Sequence, residues 1–485
     1  MTASVSRPFP SDFLFGAATA AFQIEGAAFD EGRRASIWDA FARVPGAVAN
    51  ADNGDVACDH YNRYPADVAM MKDLGLQTYR FSTSWSRVRP DAGAVNHAGL
   101  DFYKRLVDEL RNADIIPWLT LYHWDMPQAL QERGGWTVRE SVDRFAEYAA
   151  SVHDALGDQV DIWTTLNEPW CSSFLSYTAG AHAPGHQSRA EGMLAAHHLL
   201  LAHGTVIKDL RSRDAELNLG ITLNLTGAEP ANPDDPRDQN AARLIDGQFN
   251  RWFLDPVFHG EYPADIIESI REVEPAAVDE WEAAIHDGDL ATIAQPLDSL
   301  GVNYYHNEFV GGTPSDSPPP PSDAPTDRPI SSPFPVSENI HWYERGLPRT
   351  AQDWEVQPEG LTTLLERVWH EYAQPAGVVL YVTENGAAYN DEVVVEDGDT
   401  RIHDADRTDF LRDHLAAVLD AHDRGVDVRG YFYWSLMDNF EWAWGYDKRF
   451  GIVHVDFDTQ ERTLKDSARE YRRIIAARDL ATSGE

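Results

Sequence analysis

Short apolar runs alternate along this chain with longer stretches in which apolar residues recur every three or four positions. The short runs are rich in β-branched and aromatic residues and end at polar or Gly/Pro positions, as is typical of strands buried on both faces. The longer stretches have the spacing of amphipathic helices. Eight strands are predicted, over Phe13–Ala18, Leu76–Ser82, Ile115–His123, Asp161–Asn167, Leu219–Asn224, Ser299–Tyr305, Val378–Glu384 and Val428–Trp434.

The alternation of strands and helices indicates parallel strands joined by right-handed helical crossovers. An open doubly wound sheet usually has a glycine-rich phosphate loop after its first strand, and Gly16-Ala-Ala-Thr-Ala does not fit that pattern. We therefore expect an α/β fold, a single (β/α)8 TIM barrel with elaborated βα loops, in which residues 1–485 form one domain. Helices are predicted at Tyr64–Leu74, Leu100–Ala113, Val138–Leu156, Glu191–Leu210, Pro358–Tyr372 and Asp406–Arg424.

One segment, residues 311–335, departs from this alternation. It follows the sixth strand, is rich in Pro, Ser and Asp, and contains four consecutive prolines at 318–321. Such a composition is too polar and too proline-rich to form a core. We expect a mobile loop or extended surface segment that flanks the entrance to a site, and not a linker between domains.

Polar and ionisable residues follow the predicted strands, at the edge where barrel enzymes hold their active sites. The fourth strand ends in Asn167-Glu168-Pro169 and the seventh ends at Glu384. Two buried strands that each deliver a glutamate to one rim suit a mechanism with two carboxyl groups. The other strand ends carry Gln23, Arg80, His123, Trp124, Asn303, Tyr305 and Trp434.

These residue types together favour a carbohydrate ligand. Amides, an imidazole and carboxylates can form paired hydrogen bonds with vicinal hydroxyl groups, and indole faces stack on the C–H face of a pyranose. A phosphate would require more Arg, Lys or backbone amide donors. A single glutamate at a strand end is usually solvated or salt-bridged, so the prediction depends on the convergence of many such groups at one rim.

Composition disfavours several other classes of protein. The net charge of −39 repels polyanions, so no nucleic-acid partner is expected. No basic and apolar leader is present, and no segment is apolar enough to span a bilayer, so we expect a cytoplasmic protein without membrane association. The acidity has two explanations, a solubilising surface in the product of a GC-rich genome or an adaptation to salt.

No metal or other cofactor is predicted. Cys58 and Cys171 lie far apart in sequence and are expected to be reduced thiols. The adjacent His197 and His198 lie within an apolar helical pattern, which favours a role in the core.

Seven motifs in order give the chain a resemblance to glycoside hydrolase family 1, the β-glucosidase family, over essentially its whole length. They are Phe13-Leu-Phe-Gly-Ala-Ala-Thr-Ala-Ala-Phe-Gln-Ile-Glu-Gly, Tyr79-Arg-Phe-Ser-Thr-Ser-Trp-Ser-Arg, Leu121-Tyr-His-Trp-Asp-Met-Pro, Thr165-Leu-Asn-Glu-Pro, Leu300-Gly-Val-Asn-Tyr-Tyr, Val382-Thr-Glu-Asn-Gly and Trp434-Ser-Leu-Met-Asp-Asn-Phe-Glu-Trp.

The resemblance implies a retaining mechanism in which Glu168 is the acid/base and Glu384 is the nucleophile. Carboxyl groups of a retaining pair lie about 5–5.5 Å apart, and two carboxylates this close share one proton. Arg80 and the Tyr305 hydroxyl are the expected stabilisers of a charged Glu384, which leaves the proton on Glu168.

The resemblance also implies the substrate-binding residues. Glu441 would repel a 6-phosphate group, so unphosphorylated sugars are favoured, although Lys448 keeps a 6-phospho-β-glycosidase open as an alternative. The aglycone side is assigned to Trp342, Trp170, Cys171 and Tyr177, and packing explains each of these four residues equally well. The residues assigned to the glycone are Gln23, His123, Trp124, Asn167, Asn303, Trp434, Glu441, Trp442 and Phe450.

The expected function is that of a retaining exo-β-glycosidase that hydrolyses terminal β-D-glucosyl residues of small β-glucosides or oligosaccharides. Activity on β-galactosides or β-fucosides is compatible with the same residues. The alternatives are a transglycosylase and a catalytically inactive sugar-binding relative, which the presence of both glutamates disfavours. The oligomeric state is not predicted.

Overall fold

In the computed structural model, which describes residues 6–317, 324–325, 328–396 and 398–480, eight parallel strands close into a barrel. Their order around the barrel is their order in the chain, and the last strand pairs with the first through Ala18 and Trp434. Every predicted strand is confirmed, with each end within two residues of its predicted position. The strands are β1 (Leu14–Ala18), β2 (Thr78–Ser82), β3 (Ile116–Tyr122), β4 (Ile162–Asn167), β5 (Asn218–Asn224), β6 (Ser299–Asn303), β7 (Val379–Asn385) and β8 (Val428–Trp434).

The barrel interior is a packed core. Trp118 of β3 contacts Tyr381 of β7 and Phe432 of β8 edge to face, with ring centroids 4.8 and 5.0 Å apart. Gly16 of β1 permits this packing, because a Cβ there would lie 2.6 Å from the ring of Phe432. Every residue of β2 and β6 is buried, which explains the nearly continuous apolar runs in the sequence.

Helices follow the strands and cover the outside of the barrel. All six predicted helices are present, and the one predicted to reach Tyr372 continues past Val368 as a π-helical segment. The α-helices are Ala21–Ile24, Ile37–Phe41, His60–Leu74, Trp85–Val88, His97–Asn112, Gln128–Gln131, Glu140–Leu156, Arg189–Arg213, Pro236–Asp246, Trp252–His259, Ala264–Val273, Pro275–Ala284, Asp289–Ile293, Pro358–Val368, Gln374–Ala376, Ala405–Asp423 and Asp466–Ala477.

The connections after the strands are elaborated, as predicted, and they build the walls above the barrel. The described part of the chain contains three π-helical segments, at Cys171–Thr178, Gly247–Arg251 and Trp369–Ala373, and four 3-10 turns, at Ala49–Ala51, Pro90–Ala92, Gly135–Thr137 and Trp442–Trp444. The additional strands are Ala228–Pro230 with Glu308–Gly311 and His341–Trp342, Glu392–Glu396 with Asp399–His403, and Val453–Val455 with Arg462–Leu464.

The proline-rich loop predicted at residues 311–335 lies partly outside the described residues, which omit 318–323 and 326–327. Its described part packs against the chain that follows β4. The Arg328 guanidinium donates hydrogen bonds to the carbonyl groups of Gly180 and Gly185, at 2.7 and 3.2 Å. Phe334 is buried. This end of the loop is therefore anchored beside the carboxyl ends of the barrel strands.

Within the described ranges, every helix is too short or too polar to cross a lipid bilayer.

Candidate active site

A cavity of about 540 Å³ lies at the carboxyl ends of the barrel strands. Most of the sequence-predicted site residues form its walls, whereas Gln23, Arg80 and Asn167 lie behind this surface and contact the residues that form it. The predicted residues that line the cavity are His123, Trp124, Glu168, Asn303, Tyr305, Trp342, Glu384, Trp434, Glu441, Trp442 and Phe450.

Glu384 lies near the carboxyl end of β7 and has a donor on each carboxyl oxygen. The Arg80 guanidinium on β2 donates to Oε1 at 2.6 Å, and the Tyr305 hydroxyl donates to Oε2 at 2.7 Å. Both partners of this ion pair are almost completely buried. A cationic donor together with a hydroxyl donor stabilises the ionised form of Glu384.

Glu168 follows β4 directly and has neutral hydrogen-bond partners. The Asn303 amide donates to Oε1 at 2.6 Å, and the Cys171 thiol donates to Oε2 at 3.4 Å. The backbone of Glu168 is in the left-handed region, with φ of 49°. This turn directs the chain away from the strand at the point where the carboxyl group enters the cavity.

The Asn167 amide connects the surroundings of the two glutamates. Its Oδ1 accepts hydrogen bonds from Arg80 Nη2 at 2.6 Å and from Asn303 Nδ2 at 3.1 Å. Its Nδ2 lies 3.1 Å from His123 Nε2 and acts as the donor, so this ring nitrogen carries no proton. Burial and the Arg80 charge lower the pKa of His123 well below its usual value, which is consistent with a neutral imidazole.

The two glutamates differ in their affinity for a proton. Burial raises the pKa of Glu168, and the charge of Glu384 raises it further, to about 8. Burial also raises the pKa of Glu384, but the Arg80 charge and the hydrogen bonds from Arg80 and Tyr305 oppose this increase. A single proton shared by this pair therefore resides on Glu168, and Glu384 is the ionised partner.

Glu441 provides a third carboxyl group in the cavity. Burial and the charges of Glu384 and Glu168 raise its pKa to about 8, while the side chain of Gln23 opposes the increase. Gln23 Nε2 lies 3.5 Å from Glu441 Oε2 and donates to the Phe440 carbonyl at 2.8 Å. Gln23 thus supports Glu441 from behind the cavity wall.

Indole rings supply the apolar surfaces of the cavity. The Trp434 ring lies nearly parallel to that of His123, with centroids 5.7 Å apart, and the Trp442 ring contacts that of Trp124 at 4.4 Å. The Trp124 indole N–H donates to the carbonyl group of Asn167 at 3.0 Å, which fixes its ring. These surfaces suit the C–H face of a sugar.

Four aromatic residues, which we call the aromatic wall, form another side of the cavity: Trp170, Phe249, Phe334 and Trp342. The ring centroids of Trp170 lie 4.4 Å from Phe249 and 5.8 Å from Phe334, and Phe334 lies 6.1 Å from Trp342. Trp170 is two residues beyond Glu168, so the wall lies beside the Glu168 carboxyl group.

The cavity-lining residues that the sequence did not identify include His182, Phe249 and Phe334. Burial lowers the pKa of His182 to about 3, so its imidazole is neutral. Phe249 lies in a π-helical segment, and His182 and Phe334 lie in irregular loops, where hydrophobic periodicity gives no signal. A positional signal was available for His182 and Phe334, because both lie in connections that follow strands whose ends carry predicted site residues.

Other candidates proved to have structural roles. The Tyr177 hydroxyl donates to Gln131 Oε1 at 2.6 Å within the core, so packing explains it. Lys448 Nζ donates to the carbonyl group of Ala351 at 2.8 Å. The imidazole of His197 lies 3.0 Å from the Tyr262 hydroxyl, in agreement with the predicted core role. Among the described residues, no group of three or more His, Cys, Asp or Glu side chains could hold a metal ion.

Comparisons with known proteins agree with this arrangement. Residues 5–480 match the family model described as Glycosyl hydrolase family 1, and the chain belongs to this family. It is 42% identical over 472 residues to beta-glucosidase A of Thermotoga maritima, covering 97% of this chain and 98% of that protein. It is 45% identical over 475 residues to a bifunctional beta-D-glucosidase/beta-D-fucosidase of Bifidobacterium breve, covering 96% and 98%.

Solved structures show the same fold. The crystal structure of a psychrophilic beta-glucosidase from Micrococcus antarcticus is 53% identical, with a TM-score of 0.92 and coverage of 97% of this chain and 98% of that one. A Thermotoga maritima family 1 glycoside hydrolase complexed with a cyclophellitol analogue transition state mimic is 41% identical, with a TM-score of 0.87 and coverage of 98% and 99%.

Proposed function

We propose that this protein is a retaining β-glucosidase that removes terminal β-D-glucosyl residues from small glucosides and short oligosaccharides. The observation that supports this most directly is the unequal surroundings of the two glutamates. Arg80 and Tyr305 stabilise a charged Glu384, whereas Glu168 has neutral donors and a pKa raised to about 8 by burial and by the charge of Glu384. One carboxylate is thus prepared to attack while the other holds a proton.

The reaction proceeds in two displacements. Glu384 attacks the anomeric carbon while Glu168 transfers its proton to the leaving oxygen, which forms a glycosyl ester and releases the aglycone. The ester removes the charge of Glu384, and with it the contribution that raised the pKa of Glu168. Glu168 then ionises more easily and takes a proton from the water that attacks the ester. The glycosyl group leaves with its original anomeric configuration.

The substrate class follows from the charges around the glycone residues. Glu441 places a carboxyl group, and not a cationic donor, in the cavity, and Lys448 directs its ammonium group to the Ala351 carbonyl. Both features favour unphosphorylated sugars. Relatives named 1,4-beta-D-glucan glucohydrolase and beta-D-glucosidase/beta-D-fucosidase suggest short β-1,4-glucans and β-fucosides as further substrates to test.

The assignment of the two glutamates is tested by two substitutions. Glu384→Ala should abolish hydrolysis of cellobiose, and added azide should restore turnover of an activated glucoside, with an α-configured glycosyl azide as product. Glu168→Ala should lose about 10²–10⁴-fold in kcat/KM on cellobiose, which needs general-acid assistance, and far less on a dinitrophenyl glucoside.

Glu355→Ala is the matched control, because this glutamate also lines the cavity but lies apart from the network around the catalytic pair. Glu355→Ala should show the same ratio of kcat/KM on cellobiose to kcat/KM on a dinitrophenyl glucoside as the wild type. Normal hydrolysis of cellobiose by Glu384→Ala would contradict the mechanism.

We also propose a cytoplasmic location. Both cysteines, Cys58 and Cys171, are buried as reduced thiols, which suits a reducing compartment. Fractionation of cells that express the chain would test this, and activity found mainly in the medium would contradict it.

A further inference from the structure

The Glu168 carboxyl group is held at both oxygens by uncharged side chains. Asn303 Nδ2 donates to Oε1 at 2.6 Å, and Cys171 Sγ donates to Oε2 at 3.4 Å. Asn224 Nδ2 in turn donates to Cys171 Sγ at 3.6 Å. An amide nitrogen can donate but cannot accept, so the sulfur is the acceptor for Asn224, and its own S–H is directed to Glu168.

Backbone structure fixes the three residues of this chain of hydrogen bonds. Asn224 is the last residue of β5, and β5 pairs with β4, the strand that Glu168 follows. The Glu168 N–H donates to the Thr222 carbonyl at 2.9 Å, and the Cys171 N–H donates to the Glu168 carbonyl at 3.0 Å. The thiol is therefore placed by two neighbouring strands and by the first turn of the segment Cys171–Thr178.

We propose that Cys171 and Asn224 are positioning residues for Glu168: Asn224 orients the thiol, and the thiol donates to Oε2 of the ionised carboxylate and releases Oε2 when that oxygen carries the proton. This inference rests on the proposed function of Glu168 as acid and base. The sulfur keeps its own proton throughout, so this chain of hydrogen bonds moves no proton between residues.

A thiol suits this position because Glu168 changes its hydrogen-bonding role during the reaction. Asn303 donates to Oε1 in both states, so the transferable proton of Glu168 belongs on Oε2, the oxygen beside Cys171. The S–H group donates to Oε2 when Glu168 is ionised. When Oε2 carries the proton, the S–H can rotate away, and sulfur is too weak an acceptor to retain that proton. A donor-only side chain could not serve both states.

The hydrogen bond from Cys171 determines the direction in which the pKa of Glu168 should change. Donation from Cys171 favours the ionised carboxylate and lowers the pKa of Glu168 against the larger effects of burial and Glu384. Loss of the thiol should raise that pKa. The alkaline limb of kcat/KM, where Glu168 loses its proton in the free enzyme, should then move to higher pH.

The test compares Cys171→Val, which removes the donor, with Cys171→Ser, which retains one. For cellobiose, Cys171→Val should move the alkaline limb upward by about half a pH unit, about a threefold change in proton affinity. For a dinitrophenyl glucoside, whose leaving group needs no proton, kcat/KM should keep its profile. Its kcat should fall about twofold at a pH near the pKa of Glu168 in the glycosyl enzyme and about threefold well below that pKa, because water attack needs the ionised base.

Three further variants distinguish the loss of these hydrogen bonds from a general disturbance of the structure. Asn224→Leu should cause a smaller shift in the same direction, and adding it to Cys171→Val should cause no further shift, since both remove one chain of contacts. Cys58→Ser changes the other buried thiol, which donates to the Asp438 carbonyl at 3.1 Å, and should leave the profile unchanged.

An unshifted cellobiose profile in Cys171→Val would overturn the inference, as would equal shifts in Cys171→Ser and Cys171→Val. Failure of the wild type to hydrolyse either glucoside would instead refute the proposed function. In that case the infrared band of the protonated carboxyl group, assigned by its loss in Glu168→Gln, still reports the pKa of Glu168. The proposed positioning role of Cys171 requires that this pKa rise in Cys171→Val.

Discussion

Glu168 and Glu384 are the same residue type at equivalent ends of two barrel strands, and the charge of their neighbours separates their roles. The donors to Glu384 include a guanidinium, while those to Glu168 are an amide and a thiol. Arg80 and Tyr305, which the sequence analysis expected to stabilise Glu384, both donate hydrogen bonds to its carboxyl group. It did not predict the contact between Cys171 and Glu168, because a pair three residues apart meets only through the turn at the left-handed backbone of Glu168.

Replacement of Tyr305 by Phe tests the stabilisation of Glu384, the proposed nucleophile. The substitution removes the donor to Glu384 Oε2, so the pKa of Glu384 should rise and the acidic limb of kcat/KM should move to higher pH. A hydrogen bond to a charged group contributes about 1.5–3 kcal/mol, which corresponds to a loss of about 10- to 150-fold in kcat/KM.

The neighbouring Tyr304 provides the control for this measurement. Its buried hydroxyl donates to the Gln357 carbonyl at 2.9 Å, outside the network of the two glutamates. Tyr304→Phe should change stability while leaving the position of the acidic limb as in the wild type. If both variants shift that limb equally, the effect is general and Tyr305 has no specific role.

At the scale of elements, the barrel strands were predictable and the walls above them were not. Strands buried on both faces appear in the sequence as nearly continuous apolar runs. The prediction for β8 matches both its first and its last residue. The aromatic wall instead combines four kinds of local structure. Trp170 lies directly before one π-helical segment and Phe249 lies within a second. Phe334 lies in the proline-rich loop and Trp342 in a two-residue strand. Phe249 and Phe334 have no periodic pattern around them, so their convergence depends on tertiary contacts that a single sequence does not encode locally.

Phe334→Ala tests whether the aromatic wall selects the aglycone. The ring of Phe334 contacts those of Trp170 and Trp342, and its loss opens the centre of the wall. For benzyl β-glucoside, kcat/KM should fall about tenfold, or about 1.4 kcal/mol, the scale of an aromatic contact. Methyl β-glucoside has no ring to place there and should be hydrolysed as by the wild type.

Phe334→Leu is the matched variant, since it retains apolar bulk without a ring. It should recover stability but only part of the preference for benzyl over methyl glucoside. Equal losses on both substrates would show that Phe334 supports the fold of the site without selecting the aglycone.

At the scale of the whole molecule, closure of the barrel joins the two ends of the chain. β1 pairs with β8, and the Phe9 N–H donates to the Arg478 carbonyl at 2.9 Å. This supports our proposal that the chain acts as one domain. The same molecule carries 79 acidic and 40 basic residues, so acidic groups remain in excess even where arginines form ion pairs on the surface. Mutual repulsion of these groups opposes the compact state at low ionic strength.

We therefore expect the melting temperature to rise with NaCl between about 0.05 and 1 M, where the Debye length shortens to about 3 Å. The exposed glutamates Glu268, Glu272 and Glu280 lie on two adjacent helices. Their joint replacement by Gln should raise the melting temperature by about 1–2 °C at low salt and make it less dependent on NaCl, since less repulsion remains to be screened. Uncharged sucrose, which stabilises by exclusion from the surface, should stabilise both proteins equally. A melting temperature that stays flat or falls as NaCl rises would instead assign the acidic surface to solubility alone.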